Sequence, residues 1–313
     1  MTIAQVSPKS DIRIGISGWR YEPWRGVFYP KKMPQRLELD FASRAMSSIE
    51  INGTFYALQK PASFAQWFEQ TPDDFMFSVK APKYITHVRR LKDVHQPIAN
   101  FFASGVLLLR QKLGPVLWQF PPSFRFDEAL MEAFLKDLPH DTEAALKLAR
   151  QRDDFMAERD DLHIDQKRPL RHAIEIRHDS FKDPAFIKLL RRHKVALVVA
   201  DTAGKWPYLE DVTADFMYLR LHGEEELYAS GYTDDALNRW ATRIAAWSRG
   251  SQPDDAHLVD GAPPKRAHRD IHCYFDNDIK VRAPFDAATL KGKLGLPTRL
   301  NPSQPDMFDV TLP

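Results

Sequence analysis

Three pairs of polar residues stand two positions apart inside otherwise apolar runs: Glu50 with Asn52, Glu175 with Arg177, and Arg220 with His222. On an extended strand, residues two apart share one face. Lys80, Gln119, Asp201 and the pair Asp276–Asn277 end similar runs. These residue types suit proton transfer on a polar molecule. Nearby cations depress a carboxylate pKa and burial raises it, so the competition can divide two carboxylates into an acid and a base. Glu50 and Glu175 are the best candidates for the base. Lys80, if desolvated beside arginines, is an activated amine or a proton donor, and His222 is the other candidate acid. Asp276 completes the candidate catalytic set. Arg177 and Arg220 suit a two-pronged hold on a carboxylate or phosphate. Tyr21, Trp24, Asn52, Gln119, Asp201 and Asn277 are the further candidates for binding a substrate.

Rival chemistries use the same residues. Glu50, Glu175, Asp201, His222 and Asp276 could supply metal ligands from separate strands. Neither an HExxH motif nor paired cysteines occur, so no cofactor is predicted, and a divalent metal stays as an alternative tied to phosphodiester hydrolysis. The segment His222-Gly223-Glu224-Glu225-Glu226 would repel a phosphate, and no glycine-rich phosphate loop is present. Arg89-Arg90, the run from Arg191 to Lys194, and the run from Lys265 to Arg269 are basic clusters. Their plain reading is solvated helix faces and loops, so nucleic acid is not the favoured partner. A small-molecule ligand is favoured, and a sensor that binds one without chemistry is the third reading. Cys273, the single cysteine, sits inside an apolar run and reads as a small core residue.

Eight short β-type runs must position these groups: residues 12–16, 48–52, 75–80, 115–120, 172–177, 195–200, 216–221 and 271–276. The run Val195-Ala196-Leu197-Val198-Val199-Ala200 has no polar face, as expected of a strand buried on both sides. Helical patterns lie between the runs. Asp127, Asp183 followed by Pro184, and Thr233 are N-caps, and Pro61 opens a further helix. Between residues 201 and 215 there is room only for a turn. This alternation predicts a single (β/α)8 TIM-type barrel with all eight strand ends on one face.

The chain has 313 residues, and its core of about 12–296 suits one such barrel. Segments 139–171 and 249–269 are read as insertions or extended loops, and 301–313 as an extended tail. Forty-four Lys and Arg against 42 Asp and Glu give a net charge of +2, too balanced to indicate nucleic acid or membrane by charge alone. No signal peptide or membrane-length apolar run is seen, so a cytoplasmic protein is expected. Oligomeric state is not legible.

Several motifs together resemble a known family. They are Ser17-Gly18-Trp19 with Tyr21 and Trp24-Arg25-Gly26, Glu50-Ile51-Asn52 with Thr54-Phe55-Tyr56, Lys80-Ala81-Pro82, and Gln119-Phe120-Pro121-Pro122. Glu175-Ile176-Arg177-His178, Arg220-Leu221-His222-Gly223 and Tyr274-Phe275-Asp276-Asn277-Asp278 continue the series. The chain resembles the YecE-like group, domain of unknown function seventy-two. The resemblance implies a TIM-type barrel and carries no established activity.

Overall fold

The computed structural model describes residues 4–300, apart from 262, 264, 278 and 299. The strands are β1 (Ile12–Ser17), β2 (Ser48–Ile51), β3 (Met76–Lys80), β4 (Leu113–Gln119), β5 (His172–Glu175), β6 (Ala196–Asp201), β7 (Phe216–Leu221) and β8 (Asp270–Phe275). All pair in parallel in sequence order and close into a barrel. The seam is the β1–β8 pairing, from Ile12 opposite Ile271 to Ile16 opposite Phe275. The expected runs match these strands to within two residues at each end.

The helices are α1 (Glu38–Ala45), α2 (Gly53–Tyr56), α3 (Pro61–Gln70), α4 (His95–Ala103), α5 (Glu128–Asp137), α6 (Thr142–Ala149), α7 (Pro184–His193), α8 (Asp234–Ser248) and α9 (Ala283–Lys293). The cap residues act as their types require. Asp127 Oδ1 accepts from the Leu130 amide at 2.9 Å, and Thr233 Oγ1 accepts from Ala236 at 3.2 Å. Each satisfies an amide that the first helical turn leaves without a partner.

Strand alternation sorts the interior into two layers. Ile14, Ile16, Ile49, Val79, Leu197, Val199, Leu219 and Phe275 face the helices and join the large outer core. Leu117, Ala173, Ala196, Val198, Ala200, Phe216, Tyr218 and Tyr274 fill the barrel itself. The polar edge of this inner layer is satisfied internally: the Tyr274 hydroxyl bonds Ser48 Oγ and Ser78 Oγ, each at 2.7 Å. This layer is the floor on which the strand-end residues stand. Cys273 belongs to the outer core, and burial pushes its thiol pKa up, away from thiolate chemistry.

Gly15 lets β1 approach β2. A Cβ there would lie 1.9 Å from the Ser48 carbonyl oxygen, a backbone atom that cannot swing aside. Gly15→Ala is therefore expected to break the β1–β2 pairing and cost several kcal/mol. The check is thermal unfolding of the purified variant. A midpoint equal to wild type would show that the strands can part there.

Segment 139–171 is more than a loop. It carries α6, whose N-cap Asp141 accepts from the Ala144 amide at 2.8 Å, and this helix packs on α4. Segment 249–269 holds no helix or strand among its described residues. Two buried carboxylates pin it. Glu210 accepts from the His257 amide at 2.9 Å, and Asp211 accepts from Val259 at 2.8 Å and Asp260 at 2.9 Å. The tail expected over 301–313 lies outside the described residues.

Candidate active site at the barrel mouth

Arg220 near the end of β7 is the centre of the mouth. Its Nε and Nη2 donate to Glu50 at 3.1 and 2.8 Å, its Nη1 to Glu175 at 2.6 Å, and its Nη2 also to Asp276 at 2.7 Å. One guanidinium thus bridges carboxylates from β2, β5 and the residue that follows β8. The planar fork of arginine allows this, whereas a lysine could not address all three with fixed geometry. Glu50 also accepts from Ser17 Oγ at 2.9 Å and from the Tyr218 hydroxyl at 2.6 Å. Both its oxygens are therefore occupied, and it is fully buried.

Arg177 approaches Glu175 from the other side, with Nε 2.7 Å from Oε1. Its guanidinium lies 3.7 Å from the ring centre of Trp206, and Nη2 reaches the Tyr228 hydroxyl at 3.3 Å. Burial alone would raise the Glu175 pKa. The two guanidiniums outweigh it and hold the carboxyl well below the usual range. Asp276 follows the same logic, with Arg220 and His222 opposing burial and lowering its pKa.

Lys80 behaves differently. It is 9% exposed, and among the described residues its Nζ has no hydrogen-bond or ion-pair partner. Its Nζ lies 4.4 Å from the centre of the Phe55 ring. Burial, followed by the repulsion of Arg220, brings its pKa down from 10.5 to about 8, and the nearby carboxylates offset this only in part. His87 meets the Phe55 ring edge-on, with ring centres 5.1 Å apart. Burial and then Lys80 push its pKa to about 4, so it stands neutral at pH 7.

His222 is fully buried. Its Nδ1 is 3.1 Å from Asp276 Oδ2, yet neither ring nitrogen completes an aligned hydrogen bond. The Tyr228 ring meets it edge-on at 5.2 Å. The three carboxylates Glu50, Glu175 and Asp276 balance the three cations Arg220, Arg177 and Lys80. The imbalance is one of pairing, not of charge: the carboxylates are held by the arginines, and the ammonium is left over.

The lowered pKa of Lys80 has a consequence for stability. The folded state binds its proton less tightly than the unfolded chain, so keeping it charged costs roughly 3 kcal/mol below pH 8. That cost fades as pH rises through 8 towards 10.5. Wild type should therefore gain stability relative to Lys80→Met across that window, measured as the difference in denaturant unfolding free energies. A difference that stays flat would place the ammonium in water.

The structure brings together Glu50, Lys80, Glu175, Arg177, Arg220, His222 and Asp276. Gln119, opposite Glu175 in the β4–β5 register and 5% exposed, faces the same space. Tyr21 and Asn52 line a neighbouring cavity over the ends of β1 and β2, with Gly18, Trp19 and Trp67. The Tyr21 hydroxyl there donates to the Ser17 carbonyl.

Three expected binding residues stand elsewhere. Trp24 is fully buried against Tyr21, Phe28 and Tyr29, so it packs the core and offers no face to a ligand. Asp201 is in phase with Leu197 and Val199, and so it turns to the helix side, where it accepts from the Tyr232 hydroxyl at 3.1 Å. Asn277 is in phase with Cys273 and Phe275. Its Nδ2 donates to Asp286 at 2.8 Å and to the Ser230 carbonyl at 2.9 Å. Asp201 and Asn277 turn away for one reason: Asp201, the last residue of β6, and Asn277, two past β8, are both in phase with the helix-facing residues of their strands.

Tyr218 and Trp206 also belong to the mouth, the first on Glu50 and the second under Arg177. Tyr218 stands two before Arg220 and shares its face, so the signal was present. Trp206 comes from the turn between β6 and β7, and nothing in its local sequence ties it to Arg177. The basic clusters around 191–194 and 266–269 gather at the opposite end, near the starts of β6 and β8. There Arg191 pairs with Asp260, and Arg192 and His193 with Glu132. Among the described residues no three His, Cys, Asp or Glu side chains are grouped to hold a metal ion. The mouth carboxylates converge instead on Arg220.

A closed eight-stranded parallel barrel with its charged residues gathered where the strands end defines a (β/α)8 barrel protein of the TIM type. The chain belongs to the family described as protein of unknown function DUF72, whose model matches residues 13–307. UPF0759 protein YunF of Bacillus subtilis is 31% identical over 118 residues, which are 36% of this chain and 41% of that protein. UPF0759 protein YecE of Escherichia coli K12 is 30% identical over 113 residues, 36% of this chain and 39% of that protein. The matched stretch thus spans about two fifths of each of these relatives.

The crystal structure of a DUF72 family protein from Thermotoga maritima is similar over 91% of this chain and 99% of that one, with a TM-score of 0.68 and 26% identity. A DUF72 family protein from Enterococcus faecalis shares the fold at a TM-score of 0.64 and 17% identity, over 93% of this chain and 100% of that one. Among the described residues no helix is long and apolar enough to cross a membrane.

Proposed function

We propose that this protein is an enzyme that acts by general acid–base chemistry on a small, polar, anionic molecule at the barrel mouth. The observation that carries this reading is Lys80, a residue nine-tenths buried whose ammonium has no partner among the described residues, at a mouth whose carboxylates Arg220 already holds. An incoming anion would supply the partner that the ammonium lacks. A group with a pKa near 8 also exchanges a proton readily at neutral pH, as an acid–base catalyst must.

The roles divide by commitment. Arg220 and Glu50 are engaged on every side and act as the frame. Arg177, fixed by Glu175 and Trp206, is the anchor for the anionic group. Lys80 and His222 are the proton-transfer groups, and Glu175, bonded by both arginines, positions Arg177.

The test is to incubate the protein with a defined mixture of small carboxylates and phosphate esters and to follow it by proton NMR. Loss of one compound and growth of another, abolished by Lys80→Met, is the expected result. A compound that binds and is returned unchanged would replace the enzyme with a sensor. No binding at all would overturn the reading.

A further inference from the structure

Lys80 can do more than move a proton. We propose that Lys80 forms an imine with the carbonyl carbon of a small aldehyde or ketone that also carries an anionic group, held by Arg177. This rests on the reading of the mouth as an active site and names its substrate class.

Three placements lead there. Lys80 ends β3 and points into the mouth with its stem buried, so the amine has little freedom to swing away. Its Nζ has no hydrogen bond or ion pair among the described residues. A lysine kept only as a counter-ion would take one of the nearby carboxylates, yet Glu50, Glu175 and Asp276 are all bonded to Arg220. The Phe55 ring centre lies 4.4 Å from the nitrogen, and burial with the repulsion of Arg220 outweighs the pull of the nearby carboxylates. Apolar contact together with a neighbouring cation is the setting that turns lysine into a nucleophile. Arg177 lies on the far side of Glu175 from Arg220, where it can hold a carboxylate or phosphate while the carbonyl faces Lys80.

The step balances without an oxidant or reductant. The Nζ lone pair attacks the carbonyl carbon, and the C=O electron pair moves to oxygen, which takes up a proton. The nitrogen loses a proton to give a neutral carbinolamine. The hydroxyl then leaves as water with a second proton, and the C=N bond forms. Hydrolysis reverses the sequence. The proton released by nitrogen matches the one taken up by oxygen, and the second comes from solvent.

The experiment is reductive trapping on the intact chain. Wild type is incubated with glyoxylate and sodium cyanoborohydride, digested, and mapped by mass spectrometry. Lys80 should acquire a carboxymethyl group at least about tenfold faster than surface lysines at pH 7, because far more of it is unprotonated there. Its labelling rate should level off near pH 8, while that of the surface lysines keeps climbing. Glycolaldehyde, which lacks the charge, should label Lys80 no faster than it labels the surface, and Arg177→Met should remove the glyoxylate preference. Lys80→Arg, which keeps the cation and cannot form an imine, should lose this label while the surface lysines are labelled as in wild type.

Labelling of Lys80 at the surface rate would overturn the imine. If NMR nonetheless shows a Lys80-dependent turnover, the acid–base reading stands without it. Fast labelling with no turnover of any compound tested would keep the imine and overturn the acid–base assignment. Failure of both would empty the site of chemistry.

Discussion

Arg220→Met should cost at least about 3–5 kcal/mol and lower the unfolding midpoint by roughly 10 °C. The substitution leaves Glu50, Glu175 and Asp276 facing one another without their shared donor. Arg177 and Lys80 remain, but neither is placed to replace the bond to Glu50. Removing one partner from a buried ionic cluster is expensive because the others stay desolvated and unpaired.

The pH dependence identifies the cause. Arg177 and Arg220 hold the Glu175 pKa below its unfolded value of 4.5. Its stabilisation is complete above that value and is lost as pH falls through the folded one. Arg220→Met removes part of that stabilisation. The gap between variant and wild type should therefore be widest at pH 7 and should shrink by pH 4, as the carboxyls of the variant take up protons. Arg220→Lys should fall between the two, since it restores the charge without the fork. A loss under about 1 kcal/mol, unchanged with pH, would mean that water reaches the carboxylates and that the network contributes little.

Arg177→Met should do the opposite: a modest stability loss and at least a hundredfold loss of turnover. Glu175 keeps the Arg220 bond at 2.6 Å when Arg177 is removed, so no carboxylate is left unpaired. Read from sequence alone, the stability cost is under about 1 kcal/mol. Stacking on Trp206 at 3.7 Å raises it to about 1–2 kcal/mol. What the variant loses is a donor fork facing the mouth. Thermal unfolding and the NMR turnover assay, run on the same preparation, separate the two effects. A large midpoint drop with turnover intact in the remaining folded protein would make Arg177 part of the frame.

The family relationship sets no expectation against which these outcomes could be scored, because the DUF72 description names no activity. The weight rests on which polar groups are satisfied and which are not. Arg220 and Lys80 look alike in the sequence, as cations near a strand end. They differ in the fold: Arg220 makes four hydrogen bonds to carboxylates, and Lys80 makes none among the described residues.

The barrel itself was legible in the amino-acid sequence. Eight apolar runs, separated by capped helices, admit few other arrangements, and period-two alternation places Glu50, Glu175 and Arg220 inside together. That alternation is a local property, carried by adjacent peptide units, and so it survives in a one-dimensional reading. The same alternation turns Asp201, the last residue of β6, and Asn277, two past the end of β8, to the helix side. The helix in segment 139–171 was obscured by its charge, although Asp141 and the spacing of Ala145, Leu148 and Ala149 carry a helical signal.

Pairing is another matter. Which carboxylates share Arg220, that Trp206 lies under Arg177, and that Lys80 is left without a partner among the described residues depend on distances between residues up to 170 positions apart. Coulomb and hydrogen-bond energies fall off over a few ångströms, and no local pattern encodes such separations. The sequence by itself determined which groups would reach the mouth, because each strand sets the facing of its own side chains. Only the closed barrel decided which of them are spent on one another, because closure sets the distances across it.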